Sequence, residues 1–377
     1  MNPELRKLFK DGDPDPSALD AFLAEHSFPL VDEHDITFVY RGTADAINLR
    51  CWIAGLDTAQ PFQRQGETNL WAVTIELPKG SRIEYKFETV SGDHRELILD
   101  PHNPLKAHDP FGANSVCQAA GYERPEWTEH DPEARVGHLD TAHIDSKVFG
   151  QREFQVYVPA RFRDSRRYPL LVVHDGADYV NFAALKTVLD NLITALEIPP
   201  LIAALIQSPD RLVEYGADDR HAEFLADELL PFLSGHYPLI DDPRSRGIMG
   251  ASFGGVASLH AAWRNPGLFD RLLLQSGSFA FSDIGRHSRG PVFDPVADFM
   301  NEFREDPGMP ASKIYMSCGI YESLIYENRS LVPRLQAQGI EVRFEEARDA
   351  HNWENWLDRL RNGLSWLFPG PLWLTYE

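Results

Sequence analysis

Two hydrophobic periodicities divide the chain. From about residue 34 to 120, apolar positions alternate or cluster in short runs rich in β-branched and aromatic residues. These runs are D-I-T-F-V-Y-R, A-I-N-L-R-C-W-I-A, N-L-W-A-V-T-I-E-L and R-I-E-Y-K-F-E-T-V. Turn formers separate them at Gly42-Thr43, Gly66-Glu67, Pro78-Lys79-Gly80 and Ser91-Gly92-Asp93. No helical stripe interrupts the region, which predicts a small antiparallel sandwich. Its aromatic residues Trp52, Trp71 and Tyr85 are expected in the core, because alternation in a sandwich buries such positions. Ahead of it, A-L-D-A-F-L-A-E-H predicts a short helical lead, capped by Asp15 or Ser17, with Pro16 in the first turn.

After a polar stretch rich in Pro, Asp and Glu (122–132), the pattern changes. Two strand candidates, near 142–149 and 153–158, precede the apolar runs P-L-L-V-V-H-D-G, L-I-A-A-L-I-Q, R-G-I-M-G-A-S, R-L-L-L-Q-S-G and K-I-Y-M-S-C-G. Helical patterns such as F-A-A-L-K-T-V-L-D-N-L-I-T-A-L lie between them. Apolar strands alternating with helices predict a mostly parallel sheet with helices on both faces. The expected domains are 1–130, all-β with its helical lead, and 131–377, α/β.

Composition narrows the function. The 377 residues are 43% hydrophobic and hold no run of about 18 apolar residues that could span a bilayer. The N-terminus is charged at once and lacks an apolar signal region, and Cys51, Cys117 and Cys318 make no full disulfide framework. A cytoplasmic location is expected. A net charge of −21 argues against nucleic-acid or membrane partners and would repel anionic small molecules.

The candidate chemistry centres on R-G-I-M-G-A-S-F-G-G-V-A-S-L-H-A-A-W, residues 246–263. A G-x-S-x-G between a strand and a helix is the nucleophile-elbow pattern of α/β-hydrolases, in which the serine sits on a strained turn. Gly250 and Gly254 make room beside Ser252, and Gly255 clears a close approach. The bland alternative is a small-residue turn packing a helix on a sheet.

Ser252 needs a base, and only His287 and His351 follow the elbow helix. His351 lies just after the strand-like V-R-F-E-E-A, where a hydrolase carries its catalytic histidine; His287 sits in a polar, glycine-flanked stretch and reads as solvated or as a satisfied core residue. The acid should fall between nucleophile and base. Glu322, just past the strand K-I-Y-M-S-C, is preferred over Glu327, which begins the next helix and could offset Arg329. Asp349 would orient the histidine loop. For the oxyanion, the N–H of Phe253 is one donor, and Gly176 or Ala177 in V-V-H-D-G-A-D-Y the other. No metal-ligand cluster and no cofactor-binding loop is present in the sequence.

These pieces carry a resemblance. The part from about 140 to 370 resembles the enterochelin esterases and their relatives in the esterase-D and feruloyl-esterase branch of α/β-hydrolases. The matching stretches are V-V-H-D-G, G-A-S-F-G-G, L-L-L-Q-S-G-S-F, C-G-I-Y-E, E-N-R-S-L, and His351 followed by Trp356. The N-terminal part is similar to the immunoglobulin-like early-set domains, of carbohydrate-binding-module type, that precede such esterases. The resemblance implies a serine esterase with Ser252, Glu322 and His351 as its triad. It puts Arg211, Arg329 and Trp356 on the substrate side, although Arg211 could instead pair with Glu214. The implied partner is a small-molecule ester, either a siderophore lactone or a feruloyl or acetyl sugar ester, and a homodimer is compatible. Acyl transfer to an alcohol, and a non-catalytic glycan-binding protein on a hydrolase fold, are the competing readings.

Overall fold

A computed structural model describes residues 2–282 and 289–370. The chain forms two compact units. One comprises the chain up to Arg124 together with Gly319–Glu322 and Ala347–Asn352; the other comprises Pro125–Cys318, Ser323–Glu346 and the chain from Trp353 onward.

The first unit is β-rich. Its strands are β1 (Leu30–Asp32), β2 (Asp35–Arg41), β3 (Ala46–Cys51), β4 (Ala59–Pro61), β5 (Gln63–Arg64), β6 (Leu70–Glu76), β7 (Arg82–Ser91), β8 (His94–Ile98), β9 (Lys106–Asp109) and β10 (Gly112–Gln118). They form a four-stranded sheet, β1-β2-β6-β5, and a six-stranded one, β4-β3-β7-β10-β9 with β8 on β7. The paired strands run antiparallel. Alternation works as expected on β3, whose Ile47, Leu49 and Cys51 point inward. They meet Ile36, Phe38, Tyr85 and Phe87 in one core, with Phe38 edge-on to Tyr85 at 4.7 Å. Tyr321 and Ala350 belong to this same core.

β2 is buried more completely than alternation predicts. Its Val39 joins Leu70 and Ala72 in a second core, closed by Leu5, Leu19, Phe22 and Phe28. The helical lead (Pro3–Leu8 and Pro16–Glu25) therefore covers this face of the four-stranded sheet. Asp15, not Ser17, caps the second helix, accepting from the Ala18 N–H at 2.8 Å, with Pro16 at its start. Tyr85 is buried as expected and Trp71 only half-buried, but Trp52 is 51% exposed, because it follows the inward-facing Cys51 and so falls on the outward side with Asn48 and Arg50.

The second unit has the α/β-hydrolase fold. Its strands are β11 (His138–Ser146), β12 (Gly150–Val158), β13 (Leu170–His174), β14 (Ile202–Ile206), β15 (Arg246–Ala251), β16 (Arg271–Gln275), β17 (Lys313–Gly319) and β18 (Glu341–Ala347). They form one sheet in the order β11-β12-β14-β13-β15-β16-β17-β18. β11, β12 and β14 pair antiparallel, and the run from β14 through β17 is parallel. The strand expected near 142–149 stops at Ser146. Its Oγ accepts from the N–H groups of Val148 and Phe149 and folds the chain into a hairpin turn.

Along β13, Leu170 and Val172 enter one core and Leu171 and Val173 the other. The first core is covered by helices Phe253–Arg264, Asp294–Glu305 and Ile325–Ala337, the second by Leu185–Thr194 and Leu360–Leu367. Both faces of the sheet are thus buried, which explains why its central strands are continuously apolar.

Candidate active site

β15 passes directly into the helix Phe253–Arg264, and Ser252 makes the turn with φ 58° and ψ −120°. Few non-glycine residues adopt that conformation, so the backbone at Ser252 is strained. The turn is possible because Gly250 and Gly254, two residues to either side, lack side chains. A Cβ on Gly250 would lie 2.4 Å from the Gly254 backbone, which no side chain could relieve. The Ser252 N–H donates to the Gln275 carbonyl at 2.9 Å and its carbonyl accepts from the Ser278 N–H at 3.1 Å, tying the turn to the end of β16. Its Oγ lies 3.1 Å from Ser278 Oγ. Phe253 opens the helix, where first-turn N–H groups have no intrahelical acceptor and the helix dipole favours negative charge.

β13 ends in a second special turn. Asp175 is left-handed (φ 54°), and Gly176 and Ala177 then start the helix Gly176–Phe182. A Cβ on Gly176 would meet the Leu205 backbone at 2.4 Å, so glycine permits this close approach. Arg211 joins the two turns: its Nε lies 2.8 Å from both carboxylate oxygens of Asp175, and its Nη2 donates to the Ala251 carbonyl at 3.2 Å. Burial raises the Asp175 carboxyl above its ordinary range, with the Arg211 charge opposing. Glu214, the partner expected for Arg211, bonds Arg152 at 2.6 Å instead.

A buried histidine pair lies beside the elbow helix. His174 Nδ1 is 2.9 Å from Ser258 Oγ, which itself donates to the Gly254 carbonyl at 2.8 Å. Ser258 is therefore the acceptor, His174 carries its proton on Nδ1, and His174 Nε2 accepts from His221 Nε2 at 2.9 Å. Burial pushes the His174 pKa down to about 3 and that of His221 well below its ordinary value, so both rings are neutral. Sequence reading missed this pair because its members lie 47 positions apart with no motif between them.

The candidate acid and base belong to the first unit. Glu322 Oε2 is 2.7 Å from His351 Nδ1, and Glu322 Oε1 accepts from the Gly319 N–H at 2.8 Å. The carboxylate is buried, while the imidazole side chain is 38% exposed. An ionised Glu322 holds the His351 proton on Nδ1. The rival Glu327 forms a 2.6 Å ion pair with Arg289. Asp349 Oδ1 accepts from the Ala350 N–H and from Asn352 Nδ2, both at 2.7 Å, and so shapes the histidine loop. His287 lies outside the described residues.

The remaining substrate candidates have structural partners. Arg329 forms a bidentate pair with Glu346 at 2.7 Å on the surface. Trp356 is buried rather than open to a substrate; its indole donates to Ser276 Oγ at 2.9 Å and its ring stands edge-on to Trp353 at 4.7 Å. Among the described residues no cluster of three or more His, Cys, Asp or Glu could hold a metal ion. No helix among them is long and apolar enough to cross a membrane.

Comparison with known proteins places the chain among esterases. The chain is 27% identical over 236 residues to the Iron(III) enterobactin esterase of Dickeya dadantii, covering 58% of this chain and 52% of that protein. It is 25% identical over 332 residues to the Iron(III) enterobactin esterase of Escherichia coli K12, covering 81% of each. The chain thus spans about half the length of the Dickeya relative. Among solved structures, an enterochelin esterase from Shigella flexneri superposes with a TM-score of 0.71 at 20% identity, covering 92% of this chain and 95% of that one. A ferulic acid esterase from Anaeromyces mucronatus superposes at 0.53 with 16% identity, covering 64% and 94%. At these identities the likeness is one of fold. The Esterase family model ("Putative esterase") matches residues 146–367, more than half of the sequence, and the chain belongs to that family of hydrolases.

Proposed function

We propose that the protein is a serine carboxylic-ester hydrolase working through an acyl-enzyme, with residues 131–377 as its catalytic domain and residues 1–130 as an early-set sandwich. Ser252 Oγ bonds to the ester carbonyl carbon as its proton passes to His351 Nε2. The alcohol then leaves with that proton, and water repeats the cycle, giving one proton to His351 and releasing the acid and free Ser252. Glu322 orients the imidazole and stabilises its charged form. The Phe253 N–H, with that of Gly176 or Ala177, receives the oxyanion.

The observation that carries this reading is the strained backbone of Ser252 at a strand-to-helix turn. A serine that served only packing would not need that conformation. The names of the relatives, iron(III) enterobactin esterase and ferulic acid esterase, point to a siderophore lactone or a feruloyl ester as the substrate class. Arg211 and Arg329 both have carboxylate partners, which favours a neutral or weakly charged ester over a strongly anionic catecholate.

Labelling with a fluorophosphonate tests the mechanism. The native protein should carry one adduct on the peptide containing Ser252, and Ser252→Ala should carry none while keeping its fold. Labelling that persists in the variant would sink the assignment. Product analysis with an added alcohol separates hydrolysis from acyl transfer, and a panel of aryl, feruloyl and acetyl esters identifies the substrate.

A further inference from the structure

We propose that Arg82, far from the elbow in sequence, is a positioning residue for His351. Arg82 is the first residue of β7 and its side chain is fully buried. Its Nη1 lies 3.1 Å from Asn352 Oδ1 and 3.4 Å from Asp349 Oδ2, and its Nη2 lies 3.0 Å from Glu84 Oε1. Its backbone N–H donates to the Arg348 carbonyl at 2.9 Å. One residue therefore holds the chain on both sides of His351. The Arg348 guanidinium adds a further tie, donating to the Lys79 carbonyl.

The preceding residue holds the other half of the pair. Ser81 Oγ is 2.6 Å from the Tyr321 hydroxyl, and the Ala54 N–H donates to the Tyr321 carbonyl at 2.7 Å. Tyr321 is the neighbour of Glu322. The start of β7 thus fixes the two segments whose side chains meet at 2.7 Å, and each of these contacts lies within the first unit.

Stability alone is a poor reason for this arrangement. A buried guanidinium with carboxylate partners is often no better for stability than apolar residues of similar volume. What a guanidinium supplies is direction: one arm of a planar fork, Nη1, reaches Asp349 and Asn352 while the other, Nη2, is anchored on Glu84, an arrangement that a flexible lysine reproduces poorly. Fixing the loop matters because a displacement of about 1 Å in a catalytic group can cost about 100-fold in rate. The inference rests on His351 being the base, as proposed above.

The test is steady-state kinetics on a small neutral aryl ester for the full-length protein, Arg82→Met, Arg82→Lys, Tyr321→Phe and His351→Ala. Thermal melts identify which variants fold. Arg82→Met is expected to lose about 10- to 100-fold in kcat with KM within about threefold, and to shift the acid limb of the pH–rate profile. Arg82→Lys should recover part of the rate, and Tyr321→Phe should lose several-fold in kcat. A folded Arg82→Met with unchanged kcat and profile, beside an inactive His351→Ala, overturns this inference and leaves the esterase reading standing. If Arg82→Met does not fold, Tyr321→Phe decides: unchanged kcat and pH profile overturn the inference, and a selective loss of kcat supports it. An active His351→Ala overturns both.

Discussion

Glu322 Oε2 and His351 Nδ1 lie 2.7 Å apart, brought together across 29 positions of sequence. The carboxylate is buried and also accepts from a backbone N–H, so its place does not depend on the histidine. Glu322→Gln should lower kcat by about 10²- to 10⁴-fold with little change in KM, because the lost interaction strengthens when the imidazole becomes charged. Glu327→Gln, which breaks only the pair with Arg289, should leave kcat within about threefold of the native value. Steady-state kinetics on one ester decides between them. A silent Glu322→Gln would mean a Ser–His dyad.

Arg211 is expected to act through stability and geometry rather than substrate charge. Arg211→Met strands the buried Asp175 carboxylate and frees the backbone before Ser252. Urea unfolding should show a loss of about 3 kcal/mol, and Asp175→Asn in the same chain should recover part of it. Recovery of none would show that the two side chains are not energetically coupled.

Acid should destabilise the protein through its buried histidines. His174 has a folded pKa of about 3 and His221 lies well below its ordinary value, whereas both titrate near about 6.5 when unfolded. Below about pH 6.5 the unfolded chain binds more protons, so this contribution is complete above that pH and is lost as pH falls. One such group amounts to about 1.4 kcal/mol near pH 5.5. Urea unfolding near pH 7.5 and near pH 5.5 measures the difference. The double variant His174→Gln, His221→Gln should show a smaller difference; an equal one would assign the acid response elsewhere.

Substrate charge should matter at long range. With a net charge of −21, kcat/KM for a trianionic catecholate ester is expected to lie below that for a neutral ester with a similar leaving group. Added salt should narrow the gap. Efficient ferric catecholate hydrolysis at low salt, weakened by salt, would instead place a cationic field at the site.

The features legible in the sequence are those whose constraints are local. The elbow can be read because a strained turn forces glycine at neighbouring positions, and the Gly250 contact with Gly254 shows the constraint directly. The parallel sheet can be read because strands buried on both faces lose their polar alternation, as β13 does. The partners of Arg211 and Trp356 were not legible: Asp175 is 36 positions from one and Ser276 is 80 from the other. Arginine and tryptophan suit a substrate site as well as an internal brace, so residue type alone could not separate the two. The tie from Arg82 to Asp349 spans 267 positions, beyond any periodic signal, and it draws loops expected in the α/β domain into the first unit. Trp52 failed for a different reason: residue type suggested the core, but its position after the inward-facing Cys51 gives it the outward parity of Asn48 and Arg50.

The eight-stranded sheet ends on β11 at one side and β18 at the other. Both outer strands are studded with ionisable side chains: His138, Asp140, His143 and Asp145 on β11, and Glu341, Arg343, Glu345 and Glu346 on β18. An incoming strand from another molecule would have to strip water from these groups before gaining its ladder of hydrogen bonds. The apolar central strands are shielded from such recruitment by their position within the sheet. The borders therefore raise the cost of edge-to-edge pairing for a chain with this much continuous apolar strand.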